Sequence, residues 1–364
     1  MAVDHRAERQ QALRRRLDGA GLDALLVTHP PNIRYLTGFG GSAGMLVLGA
    51  GRTILVTDSR YAGQAPAEAG DAAEIEIEPT DLWTRLETVL GQMRPGSLGF
   101  ERDRLTVRSA ARLGEAFRGG DRLEGVEGLV EEQRVVKDAD EVMAIGRAAL
   151  LALDALEAVM PTVAPGESEL VVAGRLESAL RDRGSEWHPF PTIVASGPRA
   201  ALPHARTSER ELRRGDLLLL DFGAQTEGYC ADLTRTVVIG TANPRQREVY
   251  EAVREAQAAA FDRLRPGLKG RDVDAAAREA LTRRGFGEAF QHSLGHGLGL
   301  EVHEDPRLSR TSEATLQAGT VVTVEPGVYF EGWGGIRLED DVVVTSEGAV
   351  LLSSPAGPLL ELGR

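Results

Sequence analysis

The first third of the chain alternates short apolar runs with longer segments in which apolar residues recur every three or four positions. Short apolar runs are typical of buried strands, and the longer spacing is typical of helices that bury one face. We interpret the Pro30-Pro31 pair as a turn after the first strand. The pattern predicts helices near residues 4–20, 59–69, 81–93 and 105–117, and strands near 24–27, 45–48, 53–57, 74–78 and 97–100. This alternation predicts a small α/β domain.

A long helix near residue 139 indicates the start of a second domain. Asp138 is followed three residues later by Glu141, which is a capping-box pattern, and helical apolar spacing continues to Pro161. Further helices are predicted near 167–184, 244–265 and 271–285, with strands near 191–196, 217–222, 231–239, 320–325 and 336–344. Strands and helices in separate blocks favour an α+β domain. We therefore expect an α/β domain over residues 1–133 and an α+β domain over 134–364.

Composition narrows the class of protein. The 364 residues carry a net charge of −13 and a single cysteine, Cys230. No stretch approaches the roughly 18 apolar residues of a membrane span, and the charged N-terminus lacks the apolar core of a secretion signal. An acidic chain without a basic cluster disfavours nucleic acid as a partner. Since a lone cysteine fits a reducing compartment, we expect a cytoplasmic protein that binds neither membrane nor nucleic acid.

Two acidic residues stand within a predicted hairpin over residues 217–240. Asp221 and Asp232 are symmetric about a tip between Thr226 and Glu227. Directly opposed residues of an antiparallel pair have β-carbons about 5 Å apart. Carboxylates at that distance repel each other unless a cation lies between them.

A second acidic pair lies in a predicted hairpin over residues 320–345. Glu325 and Glu339 are symmetric about Gly332, with apolar strand residues on both arms. One such pair could be a coincidence on an exposed surface. Two pairs favour a shared cation site, because a charge set into an apolar strand is costly without a partner.

Three of the seven histidines lie between these hairpins, at His292, His296 and His303. Glycines at 295, 297 and 299 predict a glycine-rich loop, which excludes the helical zinc motif HExxH. A single histidine could be a hydrogen-bonded loop residue. Beside four carboxylates, at least one is better interpreted as a metal ligand.

Charge balance predicts two ions at this site. Four carboxylates would be neutralised by two divalent cations, and one ion would leave an excess of negative charge among apolar strands. Oxygen-rich ligation with one imidazole suits Mn²⁺, with Co²⁺, Fe²⁺ or Zn²⁺ as alternatives. Two ions roughly 3.5–4 Å apart can hold a bridging water for hydrolysis.

Five segments resemble the pita-bread metallopeptidases, which include methionine aminopeptidase, aminopeptidase P and prolidase. They are LLLLDFG, ADLTRT, GHGLGLEVHE, TVEPG and IRLEDD, in this order. The resemblance implies a pita-bread catalytic domain that binds peptides with proline at the second position. It also implies five metal ligands, of which Asp232 and Glu339 would bridge both ions: Asp221, Asp232, His296, Glu325 and Glu339.

The same resemblance implies roles for further residues. Glu325 would move the proton of the attacking water, and His303 would contact the scissile carbonyl. His204 would contact substrate near the metals, and His292 and Tyr329 would line a proline pocket.

One residue of the second hairpin has two interpretations. Arg337 shares a strand face with Glu339 and, by the resemblance, would orient that carboxylate. The alternative for Arg337 is a salt bridge on the surface.

The N-terminal region narrows the choice among these metallopeptidases. IRYLTGFGGSAG, residues 33–44, and TDSRY, residues 57–61, resemble the creatinase-type domain of small bacterial aminopeptidase P. That domain implies a homodimer. Creatinase itself lacks the metal ligands and is disfavoured.

The predicted function is therefore a dinuclear-metal Xaa-Pro aminopeptidase. Arg307 keeps an alternative open, because it matches an arginine of small prolidases thought to lie near the substrate carboxylate, although it could also be a surface charge. Xaa-Pro dipeptidase is the main alternative. Hydrolysis of another amide or ester, and a non-catalytic binding module, are more remote ones.

Overall fold

The apolar runs of the first third form one mixed six-stranded sheet in the computed structural model, which describes residues 4–363. The strands are β1 (Ala24–Val27), β2 (Gly44–Gly49), β3 (Thr53–Thr57), β4 (Glu74–Ile77), β5 (Ser97–Glu101) and β6 (Arg122–Val126), in the order β4-β3-β2-β1-β5-β6. β2 runs antiparallel to β1 and β3, and the other pairs are parallel. This unit ends at Arg134, and a second unit begins at Val135.

Helices accompany the sheet of the first unit. They are α1 (Arg6–Ala20), α2 (Pro30–Thr37), α3 (Gln64–Ala69), α4 (Leu82–Met93), α5 (Val107–Ala116) and α6 (Glu131–Arg134), with a 3₁₀ turn at Ser59–Tyr61. The predicted turn at Pro30-Pro31 is wrong, because these prolines open α2. Proline suits the first helical positions, where its missing N–H leaves no hydrogen bond unmade. The sequence also missed β6 and α6, since β6 carries charges at alternate positions and lies at the sheet edge.

The second unit contains four long helices: α7 (Ala139–Val159), α8 (Glu169–Asp182), α9 (Pro244–Arg263) and α10 (Gly270–Arg283). The predicted capping box of α7 is confirmed. Asp138 Oδ1 accepts from the backbone N–H of Glu141 at 3.0 Å, and Glu141 Oε2 accepts from that of Asp138 at 3.0 Å.

The strands of this unit form two principal sheets. They are β7 (Ile193–Ser196), β8 (Leu217–Phe222), β9 (Gln225–Thr226), β10 (Tyr229–Cys230), β11 (Leu233–Ile239), β12 (Gly295–Gly297), β13 (Glu304–Leu308), β14 (Val321–Val324), β15 (Gly327–Phe330), β16 (Gly334–Arg337), β17 (Asp340–Thr345), β18 (Gly348–Leu351) and β19 (Glu361–Leu362). The sheets have the orders β19-β11-β8-β7 and β13-β12-β14-β17-β18, and β9-β10 and β15-β16 form two-stranded ribbons. Apolar side chains of α7 and α8 pack on the first sheet and those of α9 and α10 on the second.

The register of the first hairpin differs from the prediction. Asp221 pairs with Thr234, so Asp232 lies two positions out of line with Asp221 rather than directly opposite. The reason is the turn. Glu227 and Gly228 have φ of 51° and 79°, as a type I′ turn requires, so the tip lies one residue later than predicted.

The second hairpin has the predicted register. Val324 pairs with Asp340 in one ribbon and Gly327 with Arg337 in the next, so the two ladders share one alignment about Gly332. Glu325 and Glu339 lie between these ladders, where the alignment continues. The strand predicted over 336–344 is divided there into β16 and β17. Within the described residues, no helix combines the length and the apolarity needed to cross a membrane.

Candidate metal centre

Three buried side chains from separate elements converge in the second unit. Asp232 precedes β11, His296 is the middle residue of β12, and Glu339 precedes β17. One ligand atom from each lies within 4.8 Å of the other two. A carboxylate–imidazole–carboxylate group of this size fits a divalent ion.

The other two predicted ligands line the same cavity. Asp221, near the end of β8, and Glu325, after β14, lie on the wall of a cavity of about 940 Å³ that the three converging residues also line. His296 Nε2 lies 3.5 Å from Glu325 Oε1 and 3.7 Å from Asp232 Oδ2. All five predicted ligands are therefore gathered around one cavity.

The electrostatics of this cluster favour a bound cation. Burial, reinforced by neighbouring carboxylates, raises the pKa of Asp232 and of Glu339 well above their ordinary values. Burial also raises the pKa of Glu325 to about 8 and lowers that of His296 to about 3. In the described part of the chain, Asp232 Oδ1 is buried without a hydrogen-bond partner. A bound divalent ion would satisfy that oxygen and stabilise the ionised carboxylates.

The glycines around His296 belong to a strand, so the predicted glycine-rich loop is wrong at 295–297. A β-carbon on Gly295 would lie 2.0 Å from the Thr323 carbonyl oxygen, and one on Gly297 would lie 2.2 Å from that of Asp305. Glycine is required because neighbouring strands approach β12 closely on both sides. This central position fixes the backbone of His296.

The ring of His296 is also oriented. Its Nδ1 lies 3.0 Å from the Gly297 carbonyl oxygen, which selects the tautomer that donates from Nδ1. The Nε2 lone pair is then left for a metal ion. The backbone N–H of His296 donates to Thr323 Oγ1 at 3.1 Å.

Arg337 is buried, which rules out the surface salt bridge, and its contacts differ from those expected. Its guanidinium donates to Asp221 Oδ2 at 2.5 Å and to the Tyr329 hydroxyl at 2.8 Å. It reaches Glu339 only through Thr234, whose Oγ1 accepts from Arg337 Nε at 3.0 Å and donates to Glu339 Oε2 at 2.6 Å. Arg337 therefore orients Asp221 directly and Glu339 indirectly. Burial alone would lower its pKa, but Tyr329 and the nearby carboxylates raise it well above the ordinary value.

The remaining predicted residues surround the same space. The His303 ring lies 4.4 Å from the His296 ring, and His204 and Arg307 expose their side chains to the cavity. His292 Nε2 lies 2.9 Å from the Tyr329 hydroxyl. Burial, with Arg337 next in importance, lowers the pKa of His292 to about 4, so this ring is neutral.

The sequence missed several residues that shape the site. Thr234 and Thr323 donate to the predicted ligands Glu339 and Glu325, and the Asp341 carboxylate accepts from the backbone N–H of Asp232 at 3.1 Å. Phe190 and Arg206 line the cavity. The threonines and Asp341 are polar residues in apolar strands, a pattern that could have identified them.

Comparisons with known proteins agree with this geometry. Residues 144–346 match the model of metallopeptidase family M24, and residues 9–136 match that of the creatinase/prolidase N-terminal domain. The chain belongs to metallopeptidase family M24. The chain is thus a hydrolase of a family that binds divalent metals, and the predicted creatinase-type and pita-bread domains are confirmed.

Three relatives show how far the similarity extends. The Xaa-Pro dipeptidase of Pyrococcus horikoshii is 34% identical over 348 residues, covering 94% of this chain and 96% of that protein. The structure of an Xaa-Pro dipeptidase from Bacillus anthracis has a TM-score of 0.94 and 39% identity, and the match covers 98% of this chain and 100% of that one. An X-Pro aminopeptidase from Thermotoga maritima has a TM-score of 0.89 and 35% identity, with coverage of 97% and 99%.

Proposed function

We propose that this M24 metallopeptidase is an Xaa-Pro dipeptidase (prolidase). The observation that carries the proposal is the convergence of Asp232, His296 and Glu339 at one cavity with Asp221 and Glu325. Aminopeptidase P, the first prediction from sequence, would use the same site on longer peptides. The dipeptidases among the relatives favour the shorter substrate, although the similar Thermotoga protein is an aminopeptidase.

We propose that the five ligands hold two divalent ions, with Mn²⁺ as the resident metal. Four carboxylates and one neutral imidazole suit that ion, and the orphaned oxygen of Asp232 supports a bridging role for this residue. When bound, the ions would act as Lewis acids and lower the pKa of the attacking water.

Glu325 is the proposed proton carrier. It lies on the cavity wall with Oε1 3.5 Å from His296 Nε2, so its carboxylate faces the space that the other predicted ligands surround. It would take a proton from the attacking water and deliver it to the leaving proline nitrogen. His303 and His204 also line the cavity, and in this proposal they would hydrogen-bond the scissile carbonyl oxygen as its charge develops.

The proposed proline pocket combines a polar base with apolar walls. His292, Tyr329 and Arg337 form a hydrogen-bonded chain that fixes the rings, and Phe190 and Ile193 line the cavity. A pyrrolidine ring would bury apolar surface there and displace water. The Xaa-Pro bond lacks an N–H, so the site requires no acceptor for that atom.

Two arginines support the choice of a dipeptide. Arg206 and Arg307 line the cavity with exposed side chains, and among the residues that the structure describes neither guanidinium forms an ion pair. The C-terminal carboxylate of a dipeptide would lie close to the reacting bond and could accept from such a cation. A longer peptide would place an amide there instead.

The proposal also covers the oligomeric state, the cellular location and the partners of the enzyme. We propose a homodimer, on the resemblance of residues 33–44 and 57–61 to aminopeptidase P. We also propose a cytoplasmic location, supported by the single, buried Cys230. The acidic net charge supports the absence of nucleic acid among its partners.

The decisive experiment compares an Xaa-Pro dipeptide, the same peptide extended by one residue, and an Xaa-Ala dipeptide, each with purified Mn²⁺-loaded enzyme. We expect rapid cleavage of the Xaa-Pro dipeptide alone and two ions per chain by elemental analysis. Comparable kcat/KM on the extended peptide would restore the aminopeptidase P assignment. Cleavage of none of them, with two ions bound, would overturn both.

A separate variant tests the non-catalytic alternative. Asp232→Ala should abolish hydrolysis and remove metal, because it takes one of the three converging ligand side chains out of the site. Retention of full activity after thorough chelation or in this variant would contradict the metallopeptidase mechanism.

A further inference from the structure

Only two of the 42 basic residues of this chain are lysines. Lys269 is on the surface, where its side chain is 38% exposed and pairs with Glu313. Lys137 is buried, with a side chain that is 1% exposed. In a chain that otherwise uses arginine, a buried lysine indicates a position where a compact cation is needed.

The partner of Lys137 lies 167 residues further along the chain. Lys137 Nζ donates to Glu304 Oε2 at 2.9 Å, and the Glu304 side chain is 7% exposed. The other oxygen of this carboxylate accepts from the backbone N–H of Glu301 at 3.1 Å. Glu304 thereby joins the cation to the turn at 299–304.

Lys137 is itself firmly held. Its backbone N–H donates to the Gly319 carbonyl oxygen at 2.9 Å, and its neighbour Val136 forms a β-bridge with Thr320, just before β14. The ion pair therefore connects the 299–304 turn to the base of the second hairpin, which carries Glu325 and Glu339.

The space around this pair excludes a larger cation. A β-carbon on Gly299 would lie 2.9 Å from Glu304 Oε1 and 3.0 Å from Lys137 Cε. The turn therefore packs directly on the ion pair, and a guanidinium in place of the ammonium would meet its backbone. This accounts for glycine at 299 and for lysine at 137.

The turn carries His303 toward the metal centre. At its start, the Gly299 carbonyl oxygen accepts from the backbone N–H of Cys230 at 2.7 Å. At its end, Glu304 is held by Lys137, and His303 lies next to it with its ring 4.4 Å from that of His296. One end of the turn is thus tied two residues before Asp232, and the other is tied through Lys137 to the base of the second hairpin.

We propose that Lys137 and Glu304 form a positioning pair that holds the 299–304 turn so that His303 meets the scissile carbonyl. This inference rests on the proposed function only for the role of His303. A buried ion pair has a well-defined geometry, and displacement of a catalytic group by about 1 Å is enough to reduce the rate strongly. The pair would act through His303, which immediately precedes Glu304 in the turn.

The test removes both charges together with Lys137→Met and Glu304→Gln, since either single change would leave a buried charge unpaired. Lys269→Met with Glu313→Gln is the matched control on the surface. We expect faster amide hydrogen exchange in residues 298–305 and a kcat lower by about 10- to 100-fold, with KM and bound metal little changed. The control should change neither quantity.

A His303→Ala background separates positioning from general damage. If the pair acts through His303, the double substitution causes almost no further loss of kcat once His303 is absent. An equal loss in both backgrounds, or unchanged exchange in the turn, would overturn the proposal. Should the double variant not accumulate, Lys137→Arg, which keeps both charges, takes its place and should show the same faster exchange and the same dependence on His303 with a smaller loss of kcat.

The two proposals fail in different ways. If the wild-type enzyme cleaves no Xaa-Pro peptide, the proposed function fails, and the exchange measurement still decides whether the pair holds the turn. If the wild type is active but the double substitution lowers kcat equally with and without His303, the positioning role alone fails. Lys137→Arg should not restore the native exchange pattern, because the guanidinium does not fit beside Gly299.

Discussion

The two acidic hairpins of the second unit have similar sequence patterns but different strand registers. In the hairpin around Gly332, the carboxylates Glu325 and Glu339 fall at one aligned register between two ladders. In the hairpin around Gly228, Asp221 faces Thr234 and Asp232 is displaced by two residues. Two residues at equal distances from an assumed turn centre therefore face each other across the strands only where the turn has that centre.

The displacement makes the two aspartates unequal. Asp221 accepts from Arg337 at 2.5 Å, whereas Asp232 Oδ1 is buried with no partner among the described residues. Thr234, which faces Asp221, is left free to donate to Glu339. The shifted register thus links the hairpins, because it places a hydroxyl of one against a carboxylate of the other.

The largest effect is expected from removing the charge of Asp232. Asp232→Asn should lower kcat/KM by at least about a thousandfold, or about 4 kcal/mol, because both ions lose a shared ligand. Asp221→Asn should keep one ion, since Asp221 lies outside the tight group of three residues. Both variants are tested by metal content from elemental analysis and by kcat/KM on an Xaa-Pro dipeptide.

A control lies in the same hairpin. Glu227→Gln, at its exposed tip, should leave metal content and rate unchanged, because Glu227 pairs only with the exposed Arg147 in the described ion pairs. Equal loss of metal in the two aspartate variants would contradict the inequality of Asp221 and Asp232.

Metal binding should stabilise the protein more as the pH rises. In the metal-free protein the pKa values of Asp232, Glu339 and Glu325 are raised, that of Glu325 to about 8. The folded chain then binds protons more tightly than the unfolded chain, so this contribution to stability is lost as pH rises from about 4 toward 8. Ions bind the ionised carboxylates and remove that loss.

The measurement is the increase in Tm on adding Mn²⁺ at pH 5, 6, 7 and 8. We expect the increase in Tm to grow with pH, and the free energy of unfolding should rise by about 2.7 kcal/mol when free metal is 100 times Kd. His296, whose pKa is lowered to about 3, makes folding less favourable below pH 6.5. Protonation of His296 competes with metal binding, so this ligand also makes the increase in Tm larger at higher pH. An increase in Tm that is independent of pH would contradict this account.

The sequence predicted the residues of the site better than their partners. The five predicted ligands stood out because charges in apolar strands are costly, and all five do line one cavity. The link from Arg337 to Glu339 through Thr234 was not predictable, since it depends on how two hairpins pack. The strand at 295–297 was missed because glycine usually indicates a loop, whereas here it permits close strands.

The turn of the first hairpin was within reach of the sequence. Glu227-Gly228 is an X-Gly pair between strand segments, and a two-residue turn with positive φ at both positions predicts the observed register. The assumption of equal arms overlooked that turn chemistry. Around Gly332 the same assumption succeeded because Phe330 pairs with Gly334, which centres the turn on Gly332.

The hydroxyl that joins the hairpins should have an intermediate effect. Thr234→Val keeps the shape of the side chain but leaves Arg337 Nε and Glu339 Oε2 without this partner. Metal affinity or activity should fall by about 10- to 100-fold, as for other groups that orient metal ligands. Metal titration and kcat/KM test this.

The matched control is another threonine of the second hairpin. Thr345→Val removes a hydroxyl that donates to the Gly348 carbonyl at 2.8 Å and accepts from the backbone N–H of Glu347 at 3.3 Å. Both partners belong to the adjacent turn, so the rate should be unchanged. A Thr234→Val enzyme with native metal affinity and rate would show that the two hairpins do not depend on this link.

The smallest effect is expected at the two hairpin tips. Gly332 has φ of 75° and open space where a β-carbon would lie, so Gly332→Ala should cost about 1 kcal/mol of unfolding free energy from backbone strain alone. Gly228, with φ of 79°, belongs to a two-residue turn with no slack, and its backbone N–H donates to Glu186 at 3.0 Å. Gly228→Ala should therefore cost more than Gly332→Ala in denaturant unfolding. The ladders beyond Gly332 set the alignment of Glu325 and Glu339, so Gly332→Ala should leave kcat/KM unchanged. A loss of activity in this variant would mean that the tip, and not the ladders, sets that register.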